Sequence, residues 1–231
     1  MGFVFTQTAS DNFQRADEEP LNPANWTNNT AGEGDLAIVS HLCVAQNAAG
    51  GGAEFYTGVS FPENQFVKII INGFQSGSSE IELLILSALD ESRAYALALV
   101  ALGDGTAELA LESVPGASIA TKTGIVVQTG DVMALGLAGS TVYAFYNGVV
   151  VLSFAADGSS TSGDPGLAIS WSAAQTDTSV SLFSAGSITF NEFASTAEIV
   201  QPGGGRIEAA ARIESPRTSL IGTDFGTKVL G

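Results

Sequence analysis

The 231-residue chain has one cysteine, one histidine, and eight basic residues against 24 acidic ones. A single cysteine excludes an intramolecular disulfide, so stability has to come from packing and hydrogen bonds. Cys43 stands between Leu42 and Val44, the setting of a buried and inert thiol. With His41 as the sole histidine, a serine or cysteine nucleophile has almost no choice of base. On a strand Ser40 would point away from His41, while Cys43 would share its face; a buried or rim histidine beside a structural cysteine is the expectation. The shortage of cations, at a net charge of −16, removes the counterion release on which nucleic-acid affinity rests, so no DNA or RNA partner is expected. No apolar run approaches the ~20 residues of a membrane helix. The opening Met1-Gly2-Phe3-Val4-Phe5-Thr6 lacks a basic region and a long apolar stretch, so neither membrane insertion nor secretion by a signal peptide is expected.

What is present is a core. Hydrophobic residues make up 45% of the chain, which excludes a disordered protein and fits one large all-β domain or two small ones. Charge is distributed unevenly. Residues 1–193 carry 20 acids and four bases (Arg15, Lys68, Arg93, Lys122), while residues 194–231 carry four of each. The body is acidic, and the neutral C-terminal extension holds half of all the cations.

Alternation of period two and turn dipeptides run through the body. Val142–Tyr146, then Asn147-Gly148, then Val149–Phe154 read as a β-hairpin, because Asn-Gly selects the type I′ turn. Asp104-Gly105 and Gly139-Ser140 mark further turns, the first between strands Tyr95–Leu102 and Thr106–Val114, the second between Val132–Leu137 and Thr141–Tyr146. Other strands are expected at Phe3–Thr8, Leu36–Val39, Glu54–Val59, Gln65–Gly73, Glu80–Leu86, Gly166–Trp171, Ser179–Phe183 and Ser187–Phe190, with loops at Asn22–Gly34 and Gln46–Gly52. A dozen short strands without a helix read as a two-sheet antiparallel sandwich. Glu80-Ile81-Glu82-Leu83-Leu84-Ile85-Leu86 begins alternating and turns wholly apolar, as in a central strand or one covered by another subunit.

After Phe193 the alternation stops, and Gln201-Pro202-Gly203-Gly204-Gly205 is a break. Arg206–Glu214 has the composition of a short helix, with Glu208 and Arg212 paired at i, i+4. Leu220, Ile221, Phe225, Val229 and Leu230 are apolar residues on a segment too short to fold by itself. With Arg206, Arg212 and Arg217 they read as an assembly arm that lies on another polypeptide.

Ser10-Asp11-Asn12-Phe13-Gln14-Arg15-Ala16 with Leu21-Asn22-Pro23-Ala24-Asn25-Trp26 resembles the opening of the concanavalin A-like lectin/glucanase (laminin-G-like) jelly-roll domains. The likeness continues at Glu54–Val59, Phe61–Val67, Gly130-Asp131-Val132, Tyr146-Asn147-Gly148-Val149 and Gly163-Asp164-Pro165-Gly166. It implies a jelly roll over residues 1–193, of the kind found on secreted carbohydrate-active proteins and on phage virion proteins. Residues 194–231 have no counterpart in it.

Jelly-roll glucanases place carboxylates at alternate positions of one strand, in the pattern Glu-x-Asp-x-Glu or Glu-x-Asp-x-x-Glu. Glu80-Ile81-Glu82 matches its first half, but the acid/base position falls on Leu84 or Ile85, so no enzyme is expected. For a lectin-like site the candidates are Trp171, Asp157 and Asp164. No cofactor is expected, and calcium is the one ion with an acidic loop to offer, Asp157 through Asp164, then Asp104, neither with regular ligand spacing. The sequons at Asn25 and Asn28 read as chance, and Ala49-Gly50-Gly51-Gly52 precedes a strand rather than a helix, so it is no phosphate loop. The leading expectation is a non-enzymatic virion structural protein, a capsid decoration or tail-associated subunit assembled in the host cytoplasm. Its partners would be its own copies and other virion proteins, held through the arm. A carbohydrate-binding module comes next, and a glucanase-like hydrolase last.

Overall fold

The computed structural model describes residues 2–31, 34–46, 51–74, 77, 79–116, 118–171 and 177–191, and the backbone of 196–200 and 206–210. Among the described residues the regular structure is β, in strands β1 (Gly2–Asp11), β2 (Trp26–Asn28), β3 (Leu36–Val39), β4 (Leu42–Ala45), β5 (Gly52–Tyr56) and β6 (Gln65–Gly73). There follow β7 (Glu80–Ser87), β8 (Ala94–Ala101), β9 (Ala107–Val114), β10 (Ser118–Ile125), β11 (Val132–Ala138) and β12 (Thr141–Tyr146). The last five are β13 (Val149–Ala155), β14 (Asp164–Ser170), β15 (Ser179–Asn191), β16 (Thr196–Val200) and β17 (Arg206–Ala210). Two antiparallel sheets form the sandwich. Sheet A runs β13-β12-β11-β6-β15-β4-β3 with β1 also on β15, and sheet B runs β10-β9-β8-β7-β14-β5-β2. The expected all-β sandwich is what the chain forms.

The pleat sorts side chains in every strand. In β7, Ile81, Leu83 and Ile85 point inward and join Leu97 and Leu99 of β8, Leu109 and Leu111 of β9, and Val67, Ile69, Leu135 and Leu137 of sheet A in one buried cluster. Trp26 anchors the rim of this core, with its ring 4.8 Å from Phe183 and 5.2 Å from Tyr56. Its buried Nε1–H donates to Asp11 Oδ2 at 3.0 Å. Asp11 is held in turn by Arg15, which also pairs with Glu18. The motif that carries the family resemblance is therefore a small electrostatic clip over the indole.

Turn chemistry behaves as its residue types require. Asn147 and Gly148 have φ of +50° and +77°, the type I′ geometry. Ser40 and His41 also have positive φ, +52° and +67°, and make the turn between β3 and β4. That corrects the expected strand geometry: His41 is exposed at the turn, with Nδ1 3.1 Å from the Arg15 carbonyl, while Cys43 is fully buried on β4. The two share no face. Strands β2 and β4 lie in stretches read as loop or flank, and β10 was also missed; β15 is one continuous strand where two were expected. The second half of β7 is covered on both faces, with Leu84 packed beneath Phe55, Ala94 and Ala96.

The chain divides into two units, the larger being the sandwich over Phe3–Phe190. The smaller contains the hairpin of β16 and β17, in register Thr196↔Ala210 through Val200↔Arg206. Here the expected helix at Arg206–Glu214 is corrected, since Arg206–Ala210 is a strand. A nine-residue helix has little stability of its own, and Ile199 opposite Ile207 with Val200 opposite Arg206 offers β-branched cross-strand pairing instead. Arg212, Arg217, Leu220, Ile221, Phe225, Val229 and Leu230 of the expected arm lie outside the described residues.

On sheet A the outward faces of β6, β11, β12 and β15 carry a second apolar cluster of Phe66, Ala134, Ala138, Phe145 and Ile188. Phe3 and Phe5 of β1 cover it, with ring centroids 5.0 Å from Phe145 and 5.0 Å from Phe66, respectively. Gly186 makes this cover possible, because a Cβ there would lie 2.1 Å from the Thr6 carbonyl oxygen and 2.8 Å from the Thr8 nitrogen, both backbone atoms. Gly186→Ala is expected to lift β1 at ~1–3 kcal/mol, as overpacking does. Calorimetry should then show Tm lowered by about 2–4 °C per kcal/mol lost.

Candidate functional site

The outward face of sheet B is built by register. Ala53, Ala168, Glu82, Ala98, Ala110 and Thr121 follow one another across β5, β14, β7, β8, β9 and β10 as direct neighbours. On one side of this row lie Ser170, Glu80, Val100 and Glu108; on the other lie Phe55, Gly166, Leu84, Ala96 and Glu112. Ala98 and Ala110 in the central row carry only methyl groups, shorter than Val100, Glu108 and Glu112 beside them, and form the floor of a shallow trough that Glu82 interrupts. Four carboxylates line it: Glu80, Glu82, Glu108 and Glu112, all half-buried. Rows are about 7 Å apart along a strand and strands ~4.8 Å apart across the sheet. At one end the trough deepens into a depression of about 90 Å³ bordered by Gly51, Gly52, Glu80, Glu82, Ala168 and Ser170. Enclosed small-molecule sites measure roughly 300–1,000 Å³, so a ligand would lie across this surface rather than inside it.

Glu80 and Glu82 are on one face of β7, as their spacing predicts. The next outward position is Leu84, 1% exposed beneath Phe55 and Ala96. Glu112 binds the Ser118 hydroxyl at 2.6 Å. Glu108 and Glu112 were not singled out from the sequence, although their spacing around Ala110 places all three on one face of a strand that had been recognised.

The three residues named for sugar binding do not converge. Asp164 begins β14 and Trp171 follows its end, roughly 23 Å apart along the strand. Trp171 is half-buried, its Nε1–H donating to the Ala45 carbonyl at 3.1 Å, so its indole is fastened to the sandwich. Asp157 lies on the rim with Asp164 and organises its own loop: Oδ1 accepts from Tyr95 Oη at 3.0 Å and from the Ser159 amide at 2.8 Å, and Oδ2 from Ser113 Oγ at 2.9 Å. The Ser159 hydroxyl and amide, helped by Ser113 and Tyr95, pull its carboxyl down to about 2. Burial pushes Asp164 the other way, above the usual carboxylate range.

Beneath the trough, Glu54 of β5 points inward and is fully buried. Its Oε1 accepts the amides of Leu36 at 3.0 Å and Leu21 at 3.3 Å, tying two incoming segments to the sheet, while Oε2 has no hydrogen-bond partner. Burial, against those two amides, raises this carboxyl to about 8.

No protein-family profile and no curated protein matches the chain. Solved structures do. The chain is similar to carbohydrate-binding module CBM66 from Bacillus subtilis (17% identity, 71% of this chain and 94% of that one, TM-score 0.50). It is also similar to an endo-β-1,3-glucanase from Pyrococcus furiosus (11%, 79% and 94%, TM-score 0.55). A third likeness is to the Emp46p carbohydrate recognition domain (8%, 76% and 94%, TM-score 0.52). The fold is a concanavalin A-like jelly roll. At these identities the likeness of this jelly roll to its neighbours is one of fold, which hosts binding modules and hydrolases alike.

Glu54 makes the jelly roll's stability depend on pH. Its folded value, about 8, is above the ordinary glutamate value of 4.5, so the neutral form is favoured in the folded protein. The stabilisation is complete below the unfolded value and is lost as pH rises through about 8. Denaturant titrations are expected to show ~2–3 kcal/mol less stability at pH 9 than at pH 6 from this group. Glu54→Gln, which keeps an oxygen for the two amides, should flatten that dependence; an unchanged slope would assign it elsewhere.

Proposed function

We propose that the jelly roll is a non-enzymatic glycan-binding module whose ligand lies across the outer face of sheet B. The observation that carries this reading is the alanine-floored trough with four carboxylates and Leu84 at the third alternate position of β7. Ionised carboxylates only accept hydrogen bonds, and sugar hydroxyls donate them. The face therefore suits a neutral, hydroxyl-rich chain and repels sulfated or uronate polymers. Hydrolysis needs an acid to protonate the leaving oxygen and a carboxylate partner across the bond. Leu84, buried under Phe55, supplies no proton where such an acid would stand. The solved neighbours named as glucanases and as carbohydrate-binding proteins support glycan as the ligand class through the fold they share with this chain.

Titration calorimetry with a neutral β-1,3-glucan oligosaccharide tests it. Saturable binding without release of reducing ends is expected. Glu82→Gln should weaken binding about tenfold or more, the worth of a charge-assisted hydrogen bond at ~1.5–3 kcal/mol. Ala98→Trp, which fills the trough, should abolish it. Binding to no neutral glycan removes the module reading, and reducing ends that disappear in Glu82→Gln would make the protein a hydrolase.

A second reading concerns where the module is carried. The β16–β17 hairpin has five residues per strand, and a two-stranded hairpin of that size is marginal by itself. That supports the assembly arm, on which the module is displayed as a virion subunit joined to its own copies and other virion proteins. Deleting residues 201–231 is expected to leave the jelly roll folded by circular dichroism and to stop its incorporation into particles. Normal incorporation of the truncated chain would end this reading.

A further inference from the structure

An Asn or Asp followed by glycine is the pair best suited to succinimide formation. The amide nitrogen of the second residue attacks the side-chain carbonyl carbon of the first, and glycine, without a Cβ, leaves that approach open and the backbone adjustable. The chain has four such pairs: Asn72-Gly73, Asp104-Gly105, Asn147-Gly148 and Asp157-Gly158. Sequence alone treats the two asparagines alike, and the fold does not.

Three of the four are held in unreactive states. Asn147 is fixed at both ends of its side-chain amide: Oδ1 accepts the Val132 amide at 2.8 Å, and Nδ2 donates to Asp131 Oδ1 at 2.9 Å. Its backbone N–H donates to the Val132 carbonyl at 2.8 Å, which sets the residue in its type I′ turn at φ +50°. Turning the side chain toward the Gly148 nitrogen breaks both amide bonds. At the two aspartates the obstacle is charge, because an ionised carboxylate has no leaving group to expel. Asp104 Oδ1 accepts the Thr106 hydroxyl at 2.6 Å and the Thr106 amide at 2.9 Å, which hold its carboxyl below the usual range. Asp157, bound by Tyr95, Ser113 and Ser159, stays ionised down to about 2.

Asn72 lacks these restraints. Ser179 and Val180 are adjacent in β15, yet they pair with Gly73 and Ile71, so Asn72 is the extra residue of a β-bulge and has no residue opposite it. Its side chain is half-buried, and among the described residues it makes one hydrogen bond, from Nδ2 to Ser179 Oγ at 3.3 Å. One long bond on the nitrogen that must leave is a weak hold on the carbonyl carbon that must turn.

We propose that Asn72 is a site of spontaneous covalent modification, at which the Gly73 nitrogen attacks Asn72 Cγ and closes a succinimide. The N–Cγ bond forms, the Cγ–Nδ2 bond breaks, and the proton lost by the Gly73 amide leaves with ammonia. Water then opens the ring at one carbonyl or the other, giving aspartate or isoaspartate; nothing is oxidised or reduced. The position gives the change a structural effect. Strand β6 lies between β11 and β15, and its end carries the turn at 128–131. Ile71 donates to the Asp131 carbonyl at 2.9 Å, Gly130 to the Ile71 carbonyl at 2.8 Å, and Thr129 Oγ1 to the Asn72 carbonyl at 2.7 Å. Isoaspartate adds a carbon to the backbone at this joint and loosens the turn from the strand. The inference stands independently of the glycan reading, since Asn72 is on sheet A and the trough is on sheet B.

The test ages the folded full chain in ¹⁸O-labelled water at mildly alkaline pH and locates the label by peptide mass spectrometry. Label is expected at Asn72 at least about tenfold faster than at Asn147, the worth in rate of the two bonds that hold the second amide. In denaturant the two sites should react at similar rates. Asn72→Gln, whose longer side chain closes the ring far more slowly, should take up no label at that position. Exchange of the Ile71 and Gly130 amides should be faster in the aged protein than in the fresh one. Folded protein that labels Asn147 as fast as Asn72, or labels neither while the unfolded chain labels both, overturns the proposal. So does a difference of the same size in denaturant, which would belong to local sequence rather than to the bulge. Unchanged amide exchange in the labelled protein would refute the loosening of the turn.

Discussion

The strict two-face pleat of each strand is the constraint from which the rest follows. A sandwich buries one face of each sheet against the other, and here that interior is filled by the alternate leucines and isoleucines of β7, β8, β9, β11 and β6. Once those positions are committed, the remaining ones form two outer faces, and their composition decides what the molecule can do. On sheet B the outer positions include a row of alanines and four glutamates beside Phe55, Leu84 and Val100. On sheet A they include the cluster of Phe66, Ala134, Ala138, Phe145 and Ile188, and β1 is laid over it through the space left at Gly186. An acidic trough and an apolar cluster thus arise from the same alternation read on opposite layers.

Polar groups inside the sandwich and at its rim act as ties between segments that are far apart in sequence. Asp11 holds the indole of Trp26 and the guanidinium of Arg15, and Asp157 gathers Tyr95, Ser113 and Ser159. Glu54 gathers the amides of Leu21 and Leu36 but leaves one oxygen unsatisfied in an apolar setting, which is why its proton is retained to about 8. A buried acceptor is tolerated when it replaces several otherwise orphaned amides, and its ionisation is what the site disfavours.

Much of the fold was legible. Strands β3, β6 and β12 begin and end where alternation and turn residues placed them, and Asn147-Gly148 made the turn its chemistry demands. Cys43 is buried as its apolar flanks, Leu42 and Val44, implied. The misses have specific causes. Strands β2 and β4 are too short for a period to register, and β10, Ser118–Ile125, mixes Thr, Lys and Gly because it is an exposed edge with no face to bury. Arg206–Ala210 has helix-favouring residues, yet its backbone groups are paired with Thr196–Val200, and local propensity yields to available partners. The sugar-site residues were chosen by type, and type does not reveal that Trp171 and Asp164 mark opposite ends of one strand.

By itself the sequence determined what period and composition encode: an all-β sandwich, a single inert cysteine, an acidic body, Glu80 and Glu82 sharing a face without a third acid. Only the tertiary structure decided which strands are neighbours. Register across β9, β8, β7, β14 and β5 is set by long-range pairing between segments tens of residues apart, so the trough of Glu80, Glu82, Glu108 and Glu112 exists in no local window. The same holds for the bulge at Asn72, because a residue is left without a partner by the register of the strand laid against it and not by its own chemistry.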